Sequence, residues 1–440
     1  MAAPGIVIAA PSSGSGKTIF TLGLLRALRR RGLSVASAKV GPDYIDPAFH
    51  AAASGRPCLN LDAWAMRGES IAARIGELSI GAELIVCEGV MGLFDGADVP
   101  PEEPTGSTAD VAASAGWPVL LLVDVRGQAA SVAAVIQGFT RHRADVPVSG
   151  VIFNKVASPS HRAIIERACA AACPDLPLLG WLPRDDSLAL PERHLGLVQA
   201  REHTELDARL NDAAGVIERN VDLDRLIALA SPSPLTGGET APLPPLGQRI
   251  AVARDDAFAF AYPAMLEGWR RAGAELSFFS PLADQGPDAG SDSVYLPGGY
   301  PELHCGRLSA ASTFLSGLRA MARAGRWVFG ECGGYMVLGE RIEDAVGVSH
   351  PMADLLPLST SFAKRKLHLG YRRAVLSVSS PLGAAGTRFR GHEFHYASIT
   401  GEGPGQPLFA VADAAGRDLA PAGRISGTIM GSFLHLVDKT

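Results

Sequence analysis

Two short stretches of this 440-residue chain carry side chains whose types and spacing could do chemistry. The first reads Ala-Pro-Ser-Ser-Gly-Ser-Gly-Lys-Thr over residues 10–18, after an apolar run at 6–10 and before a helix predicted over 19–30. In that setting the backbone N–H groups of Ser12, Ser13, Gly14, Ser15 and Gly16 can curl around phosphate oxygens. Lys17 can then reach the outer phosphates of a nucleotide, and the Thr18 hydroxyl can ligate Mg²⁺. Pro11 stands where the usual motif has its first glycine, and a plain Gly-rich turn is the bland alternative. Polar groups follow at other predicted strand ends. Lys39 opens Lys-Val-Gly-Pro-Asp-Tyr-Ile-Asp-Pro, with Asp43 and Asp46; Glu88 opens Glu-Gly-Val-Met-Gly-Leu-Phe-Asp-Gly, with Asp95; Asn154 ends a third strand. A carboxylate beyond an apolar strand and facing a phosphate loop is a natural Mg²⁺ ligand, which points to Thr18, Asp46 and Glu88 as the metal set. Asp43, Asp46 and Asp95 each neighbour Gly or Pro and could merely form turns, although three together favour chemistry. The Asn154 amide could read an adenine edge or cap a turn.

The second stretch, Trp-Val-Phe-Gly-Glu-Cys-Gly-Gly at 327–334, runs an apolar strand into Gly-x-Cys-x-Gly. Small residues on both sides permit the sharp turn that exposes a nucleophile, and a following helix is expected to lower the Cys332 thiol pKa. A buried structural cysteine would be the alternative. Tyr-Leu-Pro-Gly-Gly-Tyr-Pro-Glu (295–302) places Gly298 and Gly299 beyond a strand, where backbone N–H groups could cradle an oxyanion. Gly-Ser-Phe-Leu-His-Leu near the chain end supplies His435, a base able to take the Cys332 proton.

The elements that must position these groups alternate. Strands are predicted at 6–10, 33–39, 84–87, 119–123 and 148–153, with a helix at 129–141. After a Pro/Gly/Ser/Thr-rich stretch comes a second series: strands at 250–253, 276–279, 293–296 and 327–329, helices at 262–272 and 309–324, and more β character from about Arg372. Helix-separated apolar strands imply parallel sheets covered on both faces, with ligands beyond the strands' carboxyl ends. The expected architecture is α/β with two doubly wound parallel-sheet domains, residues 1–230 and 249–440, joined by a linker at 231–248.

Composition narrows the function classes. A net charge of −5 argues against general binding to nucleic acid or to anionic membrane, both of which want a basic surface. Arg29, Arg30 and Arg31 end a helix and read as a solvated face at its negative pole. The six cysteines show no Cys-x-x-Cys pair and no zinc spacing, and Cys169 and Cys173 read as core packing. With no signal-peptide pattern and no run of about 20 apolar residues, a cytoplasmic location is expected. A homodimer is compatible with the sequence, which does not set the oligomeric state.

Taken in order, these segments, with Cys-Leu-Asn-Leu-Asp-Ala-Trp at 58–64 and Gly-His-Glu-Phe-His-Tyr at 391–396, resemble the cobyrinic or hydrogenobyrinic acid a,c-diamide synthases over nearly the full length. The resemblance implies a P-loop domain similar to dethiobiotin synthetase, followed by a class I, triad-type glutamine amidotransferase domain. It implies ATP with Mg²⁺, L-glutamine as nitrogen donor and a corrinoid polycarboxylate as substrate, activated as an acyl phosphate and attacked by ammonia that travels an interior path. Cys332 would be the nucleophile, His435 its base, and the N–H groups near Gly299 and Gly333 the oxyanion donors. Asp43, Asp46 and Asp95 match positions tied to substrate and phosphate handling. Ordinary amidotransferases of this class carry Glu two residues after the histidine; here that residue is Val437, so something else must orient the imidazole. The 391–396 segment could be substrate contact or core. Cobyric acid synthases and nickel-tetrapyrrole amidating enzymes are the near alternatives. A partitioning-type P-loop ATPase is the distant one, disfavoured because Ser12 stands where those proteins carry an extra Lys.

Overall fold

The computed structural model describes residues 2–185, 192–193, 196–197, 199–235, 237 and 241–440. The chain divides into two compact units, one of residues 1–64, 71–97 and 103–239, the other of 65–70, 98–102 and 240–440. Of the linker expected at 231–248, residues 236 and 238–240 lie outside the described residues, and Ser231–Pro232 pairs antiparallel with Pro4 and Gly5.

In the first unit the parallel strands are β1 (Pro4–Ala9), β2 (Val35–Val40), β3 (Cys58–Leu61), β4 (Leu84–Glu88), β5 (Val119–Asp124), β6 (Val148–Val156) and β7 (Leu178–Pro183), in the order β3-β2-β4-β1-β5-β6-β7. Val7, Ile8, Ile85, Val86, Leu121 and Leu122 are all buried, as a sheet packed on both faces requires. β1 lies between β4 and β5, where the winding reverses, so the loop leaving β1 opens at the switch point where ligands of such sheets bind. Helix α1 (Lys17–Arg30) starts behind that loop, and helix α2 (Asp46–Ser54) starts just after β2. Phe20, Leu24, Leu25 and Leu28 bury one face of α1.

The second unit is built on a ten-stranded sheet of two characters. Glu275–Phe279, Arg249–Ala253, Ser293–Leu296, Trp327–Glu331 and Ile429–Ser432 are parallel neighbours, as expected of a doubly wound domain. Beyond them Asp418–Ser426, Gln406–Asp413, His368–Leu376, Arg388–His395 and His435–Lys439 continue antiparallel. Parallel strands therefore account for only half of this sheet. The other half is antiparallel, so its neighbours need no helical crossover between them. The helix predicted over 309–324 is two helices, Cys305–Ala310 and Ser312–Arg323. Asp284 Oδ1 accepts the backbone N–H of Thr313 (2.8 Å) and Phe314 (3.0 Å), capping a new start that no residue within the run could signal. Among the described residues, no helix is long and apolar enough to cross a membrane.

Candidate active sites

The first site forms around the loop after β1. Gly16 caps α1 with φ 92°, and a Cβ there would lie 2.4 Å from Asn154 Nδ2, so glycine is required both by the left-handed backbone and by the close neighbour. A cleft of about 620 Å³ is lined by Ser13, Gly14, Gly16, Lys17, Thr18, Lys39, Asp43, Asp46, Glu88 and Asn154; Ser12 and Ser15 line an adjoining hollow. Lys17 Nζ donates to the carbonyls of Met91 (2.5 Å) and Ser12 (3.4 Å). Burial pulls its ammonium down to about 8, so anionic phosphate oxygens in the cleft would hold it charged.

Beneath the loop lies a buried ionic cluster. Lys39 Nζ sits 2.6 Å from Asp46 Oδ2 and 2.7 Å from Glu88 Oε1. Thr18 Oγ1 donates to Glu88 Oε1 (2.8 Å) and lies 3.5 Å from Asp46 Oδ2. His50 Nε2 meets Glu88 Oε2 at 2.7 Å, and Cys58 Sγ lies 3.6 Å from His50 Nδ1. Burial opposes every charge here. For Lys39, Asp46 and Glu88 more than offset it and raise the ammonium. For Glu88, Lys39 and His50 outweigh it and hold the carboxyl low. For His50, Cys58 and Glu88 raise the ring to about 10. Thr18, Asp46 and Glu88 thus come together as expected, with Lys39 and His50 balancing the two carboxylates. Sequence reasoning missed His50; its signal was the four-residue spacing from Asp46, which sets both on one face of α2.

Asp43 also faces the cleft. Its Oδ1 accepts the N–H groups of Ile45 (2.7 Å) and Asp46 (3.1 Å), so it shapes the turn as well, and burial followed by the Asp46 charge lifts its carboxyl to about 6. Asp95 does not line the cleft; its Oδ2 accepts the Gly92 N–H (2.8 Å), the turn-forming alternative, though its charge reaches Lys17. The Asn154 side chain donates to the Ser15 carbonyl (2.8 Å) and accepts from the Lys155 N–H (2.9 Å), so it braces the phosphate loop.

In the second unit Cys332 turns the chain between strand Trp327–Glu331 and helix Gly333–Leu338 with φ 48° and ψ −104°, a strained backbone of the kind that nucleophile elbows hold. A Cβ added at Gly298 would lie 2.6 Å from His435 Cε1 and 3.3 Å from Cys332 Cβ, so loop, base and nucleophile converge on one point. A Cβ added at Gly333 would lie 3.1 Å from the Gly299 nitrogen, which sets the two expected oxyanion residues side by side. One expectation fails. The thiol pKa is raised, not lowered: burial dominates, the Glu302 charge adds to it, the Gly333 N–H opposes them, and smaller contributions from Glu331 and Glu393 raise it further. A thiol so placed needs a base, and His435 suits the task, because burial and then His392 hold its ring well below the ordinary value and hence neutral.

The residues around His435 were not foreseen. His392 and His435 are register partners on adjacent antiparallel strands, with ring centroids 4.9 Å apart and planes inclined by 12°. Tyr262 Oη lies 3.0 Å from His392 Nε2. Glu331, next to the nucleophile, accepts the Leu436 N–H (2.8 Å) and the Tyr295 hydroxyl, tying the base-bearing strand to the nucleophile-bearing one. Burial pushes the Glu331 carboxyl up to about 7, against the pull of those two donors. Its folded-state pKa therefore exceeds its unfolded one, and the native chain holds the extra proton between them. Stability should fall as pH rises from about 4.5 through 7, by up to about 3 kcal/mol from this group. Thermal melts across pH 5–8 should show that fall in the wild type and a flatter profile in Glu331→Gln; equal slopes would refute the assignment.

A phosphate loop over a carboxylate cluster in one unit, and a cysteine elbow with its histidine in another, define a glutamine-dependent amidating ligase that binds a nucleotide. Family comparison agrees in both halves. Residues 6–198 match the CobQ/CobB/MinD/ParA nucleotide binding domain, and residues 249–439 match the CobB/CobQ-like glutamine amidotransferase domain. Similar proteins include the hydrogenobyrinate a,c-diamide synthases of Brucella anthropi (54% identical, covering 99% of this chain and 98% of the relative) and of Rhodobacter capsulatus (54%, 98% of each). That of Rhizobium meliloti is also 54% identical, over 99% of each chain. The chain belongs to the cobyrinic and hydrogenobyrinic acid a,c-diamide synthase family.

Proposed function

We propose that this enzyme uses ATP and L-glutamine to convert the a and c acetate carboxylates of hydrogenobyrinic acid to primary amides, in the cytoplasm. The observation that carries the reading is full-length 54% identity to enzymes named for that reaction, and the grouping of Thr18, Asp46 and Glu88 in one unit and of Cys332 and His435 in the other supports it. The relatives' names favour the metal-free ring over the cobalt-bearing one. In the first unit the loop amides and Lys17 hold the triphosphate. A substrate carboxylate oxygen takes the γ-phosphoryl group to give an acyl phosphate and ADP, and ammonia then attacks the acyl carbon and expels phosphate. Mg²⁺ would be held by Thr18, Asp46 and Glu88. These are hard oxygen donors grouped within 3.5 Å of the threonine hydroxyl, and they fit that ion. Among the described residues there is no cluster of three or more His, Cys, Asp or Glu that could hold a metal, so phosphate and water oxygens would complete the shell. The ion would offset charge between the two anions. Lys39, anchored to both carboxylates, keeps them ionised and in place.

In the second unit His435 takes the Cys332 proton as the sulfur adds to the glutamine carboxamide. Gly299 and Gly333 N–H groups receive the developing oxyanion, and His435 returns the proton to departing ammonia. Water then hydrolyses the γ-glutamyl thioester. Free ammonia becomes ammonium in neutral water and loses its nucleophilicity, so transfer sheltered from solvent belongs to the proposal. A homodimer is compatible with this scheme and would show in sedimentation equilibrium.

The test offers the purified enzyme metal-free and cobalt-bearing rings with ATP and ¹⁵N-amide glutamine, in excess unlabelled ammonium. Mass spectrometry should find two ¹⁵N carboxamides on the metal-free ring. Amides elsewhere on the ring, or none, would overturn the substrate assignment; a ¹⁵N fraction in the amides no higher than that of the free ammonia pool would overturn sheltered transfer.

A further inference from the structure

The chain places a second histidine against its catalytic one, within a segment whose sequence left its role open between substrate contact and core. His392 is 3% exposed and His435 1% exposed, and their rings stack nearly parallel. The pairing is built into the fold, because the two residues face each other in the register of strands Arg388–His395 and His435–Lys439. The far edge of the His392 ring is held by the Tyr262 hydroxyl at 3.0 Å. Tyr262 is itself buried and precedes helix Pro263–Arg271. A flat, anchored ring at this distance restricts rotation of its neighbour about the Cβ–Cγ bond. An acid two residues beyond the base would perform the orienting task, but Val437 is apolar and buried.

We propose that His392, braced by Tyr262, is a positioning residue of the glutaminase half-reaction: its ring face sets the plane of the His435 imidazole. Burial and the Arg372 charge hold the His392 ring down to about 3, so it stays neutral through the working range. Arg372 is in turn paired with Glu393 at 2.6 Å.

The inference rests on the glutaminase reading, which is checked first: wild-type enzyme must release glutamate from glutamine, and Cys332→Ala must not. Failure there is failure of the reading and not of the role given to His392. Three replacements then separate the ring face from the hydrogen bond. His392→Leu removes both, His392→Gln keeps a polar group for Tyr262 but no ring, and His392→Phe keeps a flat face but no polar group. Leu and Gln variants should lose about 10²-fold in glutaminase kcat, the scale of a misplaced catalytic group. Their glutamine KM should stay near the wild-type value, and their ammonia-dependent amidation, which bypasses the thiol, should be retained. The Phe variant should recover most of the lost kcat. A Phe variant as slow as the Leu variant, a Gln variant that recovers activity, or a Leu variant with wild-type kcat would each overturn the proposal. If the Leu variant fails to accumulate as folded protein, the contrast between Gln and Phe decides alone.

Discussion

Cys332→Ala is expected to abolish glutamine-dependent amidation while leaving amidation supported by ammonium salts near its wild-type rate. The sulfur is the only atom removed, and the covalent route has no substitute for it. Loss of a nucleophile of this type typically costs a factor of 10³ or more, with a residue owed to binding and the oxyanion site. The fold should tolerate the change. Cys332 is 3% exposed and the cavity left by one sulfur is small, so a cost of about 1 kcal/mol is the scale expected. Alanine neither relieves nor worsens the backbone at φ 48°, since both residues carry a Cβ there. Measurement needs two nitrogen sources and one product assay. A variant that fails with ammonia as well as with glutamine would end the two-site scheme, because it would show that the thiol serves the ATP-dependent step. A variant that still uses glutamine would remove Cys332 from the chemistry altogether.

The groups that local chain geometry determines were legible in the sequence, and those that tertiary register determines were not. The phosphate loop and the cysteine elbow are each contiguous, bounded by strand and helix, and their glycines mark backbone positions no other residue fills. Lys39, Asp46 and Glu88 were legible because strand ends in a parallel sheet share one edge. His50 reaches Glu88 only because α2 packs beside β2 and β3, and the four-residue spacing from Asp46 does not say that this face will turn inward to an acid. The stack of His392 on His435 depends on strands 40 residues apart in sequence falling into one register. Glu331 meets Leu436 across about 100 residues of chain. The rise of the Cys332 thiol was missed for a related reason. The helix end that would lower it is a local feature, whereas the burial that raises it is the sum of a whole core. Asn154 shows the limit of a side chain with two readings: its amide serves the backbone of a loop 139 residues away.

The second large effect concerns Glu88, where removal of one charge should injure both stability and the ATP-dependent half. Its two oxygens receive Lys39, Thr18 and His50 at 2.7, 2.8 and 2.7 Å, with no exposure to water. Glu88→Gln keeps the shape but removes the charge, and the amide nitrogen must point a donor at another donor on one side. The ammonium of Lys39 is left with Asp46 alone. Breaking a buried ion pair from one side costs about 3–5 kcal/mol, because the remaining charge stays desolvated. At about 2–4 °C per kcal/mol for a unit of this size, the first calorimetric transition should fall by roughly 10 °C. Amidation should be lost with glutamine and with ammonia alike, the opposite of the Cys332→Ala pattern, while glutamine hydrolysis by the second unit persists. Lys39→Met combined with Glu88→Leu separates the two roles. Replacing both partners removes the Lys39–Glu88 pair but leaves Asp46 without Lys39 and His50 without Glu88, so the double variant should recover only part of the melting temperature and restore no amidation. If the double variant regains turnover, the cluster holds the fold and takes no part in phosphoryl transfer. A Glu88→Gln melt within 2 °C of wild type, an effect below about 1 kcal/mol, would show that water or a shifted proton already compensates that carboxylate.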